Sequence, residues 1–190
     1  MTGRTHDLAA FTALNLVVAT QPLSSFSFST GLASLSACFL GGLAPDLDRS
    51  TSGFWEKIPA GSILGKIIDP LIAHRNISHS IVGIILFGLG AKYLLDLASG
   101  TLLVDMNIVW FAFIVGFVSH LIMDTLTTEG VPWLFPLPFH IGFPPFREFR
   151  VVTGGLVEKV IITDLLLFIN GYLFYNFYPV YLHFLKTFIK

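Results

Sequence analysis

"NIVWFAFIVGFVSHLIMD" (residues 107–124) is an apolar run, unbroken from Ile108 to Val118, that ends on Ser119, His120 and Asp124. A stretch of this length with no charge before its last residue is long enough to cross most of a bilayer as a helix. Its two closing ionisable groups, His120 and Asp124, lie one helical turn apart and so project from one face. Ionisable side chains at membrane depth are costly unless they pair, face water or hold an ion, so this helix carries both the fold and a candidate site.

The whole chain supports the same reading. Its 190 residues are 54% hydrophobic and 12% charged, with a mean hydropathy of +0.76. That is more apolar surface than one soluble core of this size can hide. A net charge of −1, with no basic run, provides no electrostatic footprint for nucleic acid. The single cysteine, Cys38, rules out an intramolecular disulfide framework and any CxxC metal site, so a metal would have to use His and carboxylate ligands.

Charges delimit the remaining apolar runs. Residues 8–45 are uncharged, and the interruption "TQPLSSFS" favours a turn, which divides them into spans over 8–20 and 29–45. Further spans cover 78–97, 107–124 and 160–184. The first is short and is expected to tilt, to sit part-way into the bilayer, or to extend back through His6. His6 and Asp7 intrude where the apolar region of a signal peptide should begin, so this segment is expected to remain as a helix. The predicted fold is all-α, a polytopic membrane protein of about five transmembrane helices forming one domain over residues 1–190.

Two connections are substantial. Residues 49–73 mix Phe54, Trp55, Ile63, Leu64, Ile67 and Ile68 with Lys57, Lys66 and Asp69, an interfacial composition. Residues 125–158 contain "GVPWLFPLPFHIGFPPFREFR", too rich in Pro for a regular helix and too aromatic for a solvated loop. That segment either lies along the headgroups as an anchor or folds back over the protein. Five spans place eight of the 11 lysines and arginines on the side of the N-terminus and three, Lys92, Lys186 and Lys190, on the other. The positive-inside rule then makes the N-terminal side cytoplasmic.

On that one side fall His6 ahead of span one, Asp46 and Asp48 of "PDLD" closing span two, His74 and His79 of "HRNISHS" opening span three, and His120 and Asp124 closing span four. Singly, each has a structural reading as a cap, a helix stop or an interfacial tip. Together they have the residue types and spacing of a metal pocket. His120 and Asp124 share a helix face, and extended backbone at "PDLD" would aim both carboxylates to one side. His74 is expected on a loop and His79 in the first turn of span three. Ser78, Ser80 and Ser119 read as capping or supporting groups, since no Gly-x-Ser-x-Gly context accompanies them.

"PDLD", "HRNISHS" and "GFVSHLIMDTLTTEGVPWLFP" resemble the signature blocks of the YdjM-like inner-membrane metal-dependent hydrolases, described by PDxD, HRGxTHS and a GxxSHxxxD tract followed by Thr, Gly and Pro. The likeness runs from His6 through Pro136 and leaves the last helix without a motif. Asn76 and Ser78 stand where the family often has Gly and Thr, and Arg49 where a His often follows PDxD. No candidate ligand is lost. The resemblance implies a metal-dependent hydrolase embedded in the cytoplasmic membrane.

Four imidazoles and three carboxylates suffice for one or two divalent ions, zinc first, with manganese or iron(II) equally compatible with a mixed N/O set. The chemistry expected of such a site is hydrolysis of an ester or phosphoester, with His79 and Asp124 central to catalysis and Arg75 placed to hold a phosphate or developing negative charge. The expected partners are the lipid bilayer and a lipid-linked substrate that passes the Pro-aromatic segment; oligomeric state is left open. The rival reading, a metal-ion or proton transporter, would need polar groups through the full membrane thickness. "GIILFGLGA" and "IVWFAFIVG" contain none that ionise. A third reading, a structural subunit, would use an unusually large number of histidines merely to lock helices together.

Overall fold

The structure is a computed structural model that describes residues 1–21, 27–48, 75–100 and 103–189. Its described residues are helical, with no strand and only two isolated bridges. In chain order α1 is Gly3–Thr20 and α2 is Phe28–Leu43, prolonged by a 3-10 turn over Ala44–Asp48. A four-residue α3 (Arg75–Ser78) leads into α4 (Ile81–Ala98), and α5 is Met106–Thr125. A π-helical turn, Val157–Ile162, runs straight into α6 (Thr163–Asn176), and α7 (Tyr178–Ile189) follows at 71° to that axis.

Side chains set these boundaries. Ser27 and Ser80 each cap a helix by accepting from the amide three residues on, and Asp105 accepts from the amides of Asn107 and Ile108 at the head of α5. Among the described residues three segments are long and apolar enough to cross a membrane, Phe28–Asp46, Ile81–Ala98 and Met106–Thr125, and the bent pair α6–α7 has the length and composition of a broken span or a re-entrant loop. α1 reaches back through His6, one of the expected options; it has the length of a span but not the apolarity. The helix expected over 160–184 is broken at Phe177. Pro179, which has no N–H to give to a preceding turn, opens the new axis in the first turn of α7.

Helix packing depends on small residues. α2 and α5 approach so closely that a Cβ on Gly41 would stand 2.0 Å from the Phe113 carbonyl oxygen, and one on Gly116 would stand 1.9 Å from that of Cys38. Without a hydrophobic drive between helices in lipid, such backbone contact supplies the dispersion energy that holds spans together. α1 lies against both, with Ala10, Cys38 and Ala112 buried at the junction. α1 is fastened to α6 and α7 by polar contacts: Asn15 donates to Asn170 at 2.9 Å, Asn170 donates to Thr12 at 2.7 Å, and the Tyr181 hydroxyl donates to Asn15. α4 packs on α5 through Phe87 and Ile84 and leaves Ile81, Ile85, Leu89, Tyr93 and Leu97 exposed along one i, i+4 stripe, as a lipid-facing helix should.

The Pro-aromatic segment folds back over the protein, the second of its two expected placements. Val131 and Ile141 exchange backbone hydrogen bonds at 2.9 and 2.8 Å, the Phe143 amide donates to the Thr125 carbonyl at 2.8 Å, and the Trp133 indole donates to the Thr125 hydroxyl at 2.8 Å. The Ile81 amide, which opens α4, donates to the Trp133 carbonyl at 3.0 Å. The segment is thereby tied to the ends of α4 and α5. The interfacial connection expected over residues 49–73 lies outside the described residues.

Candidate metal centre

The bundle brings together the N-terminal ends of α1 and α4 and the C-terminal ends of α2 and α5. Those are the four ends that carry His6, His79, Asp46 and the His120/Asp124 pair. Two groups of donors result, His6–His120–Asp124 and Asp46–His79–His120, each with ligand atoms within 4.8 Å of one another. His6 and His120 stack with ring centroids 3.7 Å apart and planes 8° apart, and His79 meets His120 edge-on at 5.4 Å.

His120 is held in one orientation. Its Nδ1 lies 2.7 Å from the Gly42 carbonyl oxygen, which can only accept, so Nδ1 bears a proton and Nε2 is turned inward. That Nε2 is buried and makes no hydrogen bond among the described residues. It stands 3.5 Å from Asp124 Oδ2 and 3.9 Å from Asp46 Oδ1. His79 Nε2 faces the same two carboxylates at 3.7 and 3.8 Å. A charge-assisted N–H···O contact would close to about 2.8 Å, whereas two ligands of one ion, each about 2.1 Å from it at a tetrahedral angle, lie about 3.4 Å apart. The observed separations, 3.5–3.9 Å, are too long for the first and lie nearer the second. Asp46, His79 and His120, with ligand atoms within 4.8 Å of one another, form a donor set that could hold a divalent ion, and Asp124 Oδ2 lies beside the same two imidazoles.

The other oxygen of Asp124 is engaged differently: His6 Nε2 lies 3.1 Å from Oδ1, and the Met1 amino group donates to the same oxygen. His6 Nδ1 is a second buried ring nitrogen with no hydrogen-bond partner among the described residues. The Ser78 hydroxyl sits 3.0 Å from His79 Nδ1, Ser80 caps α4, and Ser119 donates to the Gly116 carbonyl. Ser80 is a cap and Ser78 touches His79, as expected of supporting groups, whereas the Ser119 contact lies within its own helix.

Of the seven expected ligands the structure gathers His6, Asp46, His79, His120 and Asp124. His74 lies outside the described residues, as do the side chains of Asp48 and Arg75. Two local expectations need correction. "PDLD" is a 3-10 turn, not the extended backbone on which the expectation for its two carboxylates rested. His79 occupies the turn between α3 and α4, one residue ahead of the Ser80 cap, and not the first turn of a helix. That turn is tight because Gly83 lets α3 fold onto α4; a Cβ there would meet the Ile77 carbonyl oxygen at 2.4 Å.

Thr128, Glu129, His140, Thr153 and Glu158 escaped the sequence reading, whereas Arg147 and Arg150 were expected together to meet an anionic head group. A cavity of about 440 Å³ opens beside Asp46, His79 and Asp124, and its far wall is the Pro-aromatic segment, with Thr128, Glu129, His140, Arg147 and Thr153. Arg147 and Arg150, alike in sequence, differ in role. Arg150 donates through Nε to the Pro144 carbonyl at 2.7 Å and through an Nη to that of Pro145 at 3.0 Å, and its guanidinium fills the space a Cβ on Gly142 would need. Arg147 makes no side-chain hydrogen bond or ion pair among the described residues and faces the cavity. Glu158 is fully buried. Its Oε1 accepts from the Thr2 amide at 2.6 Å, the Thr2 hydroxyl at 2.8 Å and the Thr5 hydroxyl at 2.7 Å, and Oε2 accepts from the Gly154 amide at 2.7 Å. It thus ties the head of α1, and with it His6, to the loop beside Thr153. A single Glu at the start of an apolar run, far in sequence from every histidine, offers no local signal of that role.

A protein-family model described as "YdjM inner membrane protein" matches residues 1–184. The chain belongs to this family. It is therefore a multi-pass protein of the inner membrane. It is 27% identical to the uncharacterized protein YvsG of Bacillus subtilis over 178 residues, 92% of this chain and 95% of that one. Over 109 residues it is 28% identical to the inner membrane protein YdjM of Escherichia coli, a match covering 54% of this chain and 48% of that relative. No solved structure matches it significantly.

Proposed function

We propose that this family member is a membrane-embedded, metal-dependent hydrolase of an ester or phosphoester, with its centre at the cytoplasmic face. The observation that carries the reading is His120: a buried imidazole oriented by the Gly42 carbonyl, whose Nε2 makes no hydrogen bond among the described residues and is turned toward Asp46 and Asp124. Leaving a buried ring nitrogen without a hydrogen bond beside two carboxylates is unfavourable unless a cation lies between them. Asp46, His79, His120 and Asp124 would hold a divalent ion, zinc first and manganese or iron(II) next, on donor chemistry. Such an ion supplies Lewis acidity and lowers the pKa of water enough for hydrolysis near neutral pH.

The chain's own groups supply the rest. Gly42 and Ser78 orient the two imidazoles, His6 fixes the outer oxygen of Asp124, and the cavity wall formed by residues 127–153 screens the centre while leaving room for a substrate. Since Gly42 occupies Nδ1, His120 offers one nitrogen to an ion. A second ion would have to draw on other donors. The eight lysines and arginines on the side of the site, against three opposite, support a cytoplasmic centre and N-terminus.

The test is metal analysis of purified protein together with turnover of nitrophenyl esters and bis-nitrophenyl phosphate. Stoichiometric metal, hydrolysis abolished by chelation and restored by zinc or manganese, and loss of both in Asp124→Ala are the expected results. A metal-free wild type that stays metal-free after incubation with these ions would overturn the proposal.

A further inference from the structure

Resting on that reading, we infer that the substrate is an anionic amphiphile, a phosphoryl ester of a membrane lipid, whose phosphoryl group is met by Arg147 and whose apolar chain lies against Phe146 and Phe149. The cavity has two chemically distinct walls. One carries the His/Asp cluster; the other carries Arg147, His140 and the hydroxyls of Thr128 and Thr153. Three carboxylates, those of Asp46, Asp124 and Glu129, face the guanidiniums of Arg147 and Arg150 and the Met1 amino group. Counted over these described residues, with or without that amino group, a divalent ion on the cluster tips the balance positive, so an anion is favoured once metal is bound. Among the described residues Arg147 is the cation left to receive it, because Arg150 is held by the carbonyls of Pro144 and Pro145.

Placement adds the apolar half. Arg147 begins a 3-10 turn, Arg147–Phe149, with Phe146 as its cap residue. Phe146 and Phe149 are 67% and 74% exposed, with their rings edge-on at 6.3 Å. A guanidinium that lines the cavity, on a turn whose neighbouring residues expose two rings, meets a charged head and a hydrocarbon chain at once. A cavity of about 440 Å³ takes a head group, not a whole lipid, which leaves the chain outside against those rings.

The experiment uses full-length protein loaded with zinc in nanodiscs of phosphatidylcholine, with inorganic phosphate and dodecyl phosphate as probes and bound zinc measured in every sample. The expected result is that phosphate binds the wild type, that Arg147→Gln weakens it at least about tenfold with zinc content unchanged, and that dodecyl phosphate binds at least about tenfold more tightly than phosphate. The double variant Phe146→Ser/Phe149→Ser should erase the dodecyl advantage and leave phosphate binding intact. Undiminished phosphate binding in zinc-replete Arg147→Gln overturns the anion site. A dodecyl advantage that is missing, or that survives in the Phe variant, overturns the amphiphile and points to a soluble phosphoryl compound. Wild-type protein that takes up no zinc overturns the hydrolase reading itself, a failure distinct from the other two.

Discussion

His120 donates through Nδ1 to the carbonyl of Gly42 at 2.7 Å, and this one contact joins the packing of the bundle to the chemistry of its end. Gly42 belongs to the stretch of α2 that lies in near backbone contact with α5, so the carbonyl that orients the ring is positioned by the same close approach that holds the spans together. Shifting that interface would turn the imidazole as well as loosen the helices.

Removing a donor should release metal without unmaking the fold. Asp124→Ala and His79→Ala are expected to lose more than about 100-fold in metal affinity, beyond the 10–100-fold typical of supporting residues, and still to insert as monodisperse protein. Elemental analysis after detergent purification checks this. Full metal content in both variants contradicts the coordination geometry.

The glycine seam yields a stability prediction with an internal control. Gly116→Ala forces a Cβ against the Cys38 carbonyl and is expected to destabilise by about 3 kcal/mol, the upper end for overpacking. Gly171→Ala, with nothing within 4 Å of its Cβ, should be neutral or slightly stabilising. Thermal unfolding in detergent followed by circular dichroism reads the contrast, and equal melting temperatures would refute it.

Glu158 should act on the centre from a distance. Glu158→Ala leaves the Thr2 and Gly154 amides without their acceptor and frees the head of α1, so metal affinity should fall by about tenfold as His6 loses its place. Glu158→Gln retains an acceptor oxygen and should recover part of that loss. Titration of apo-protein with zinc separates the two, and wild-type affinity in the alanine variant would show that α1 holds its position unaided.

The two arginines of the Pro-aromatic segment should separate in experiment. Arg150→Ala removes the guanidinium that bridges the Pro144 and Pro145 carbonyls and should make residues 131–150 sensitive to limited proteolysis, whereas Arg147→Ala should leave the cleavage pattern unchanged. Identical patterns in both variants would assign the two arginines the same role.

Orientation is open to a direct measurement. Reporters fused after Ser50 and after Thr125 should score cytoplasmic and one at Gly100 on the opposite side, following the charge asymmetry. Inverted labelling would move the site to the other face.

Much of this protein was legible in the chain because composition and period act locally. Uncharged runs of membrane length mark helices wherever they fall, and polar groups that interrupt such runs stand out by their cost, which is why His6, Asp46, His79, His120 and Asp124 could be named before any contact was known. What only the tertiary structure decided depends on residues far apart in sequence meeting in space. The pairing of His79 and His120 with both Asp46 and Asp124, the Gly42 carbonyl that orients His120, the use of Arg150 as a staple while Arg147 faces the cavity, and the hold of Glu158 on α1 all lie across helix interfaces. The break at Phe177 was hidden for a related reason: the apolar run over residues 160–184 continues through it, and Pro179, tolerated in the first turn of a helix, ends one axis and begins another without any change in hydropathy.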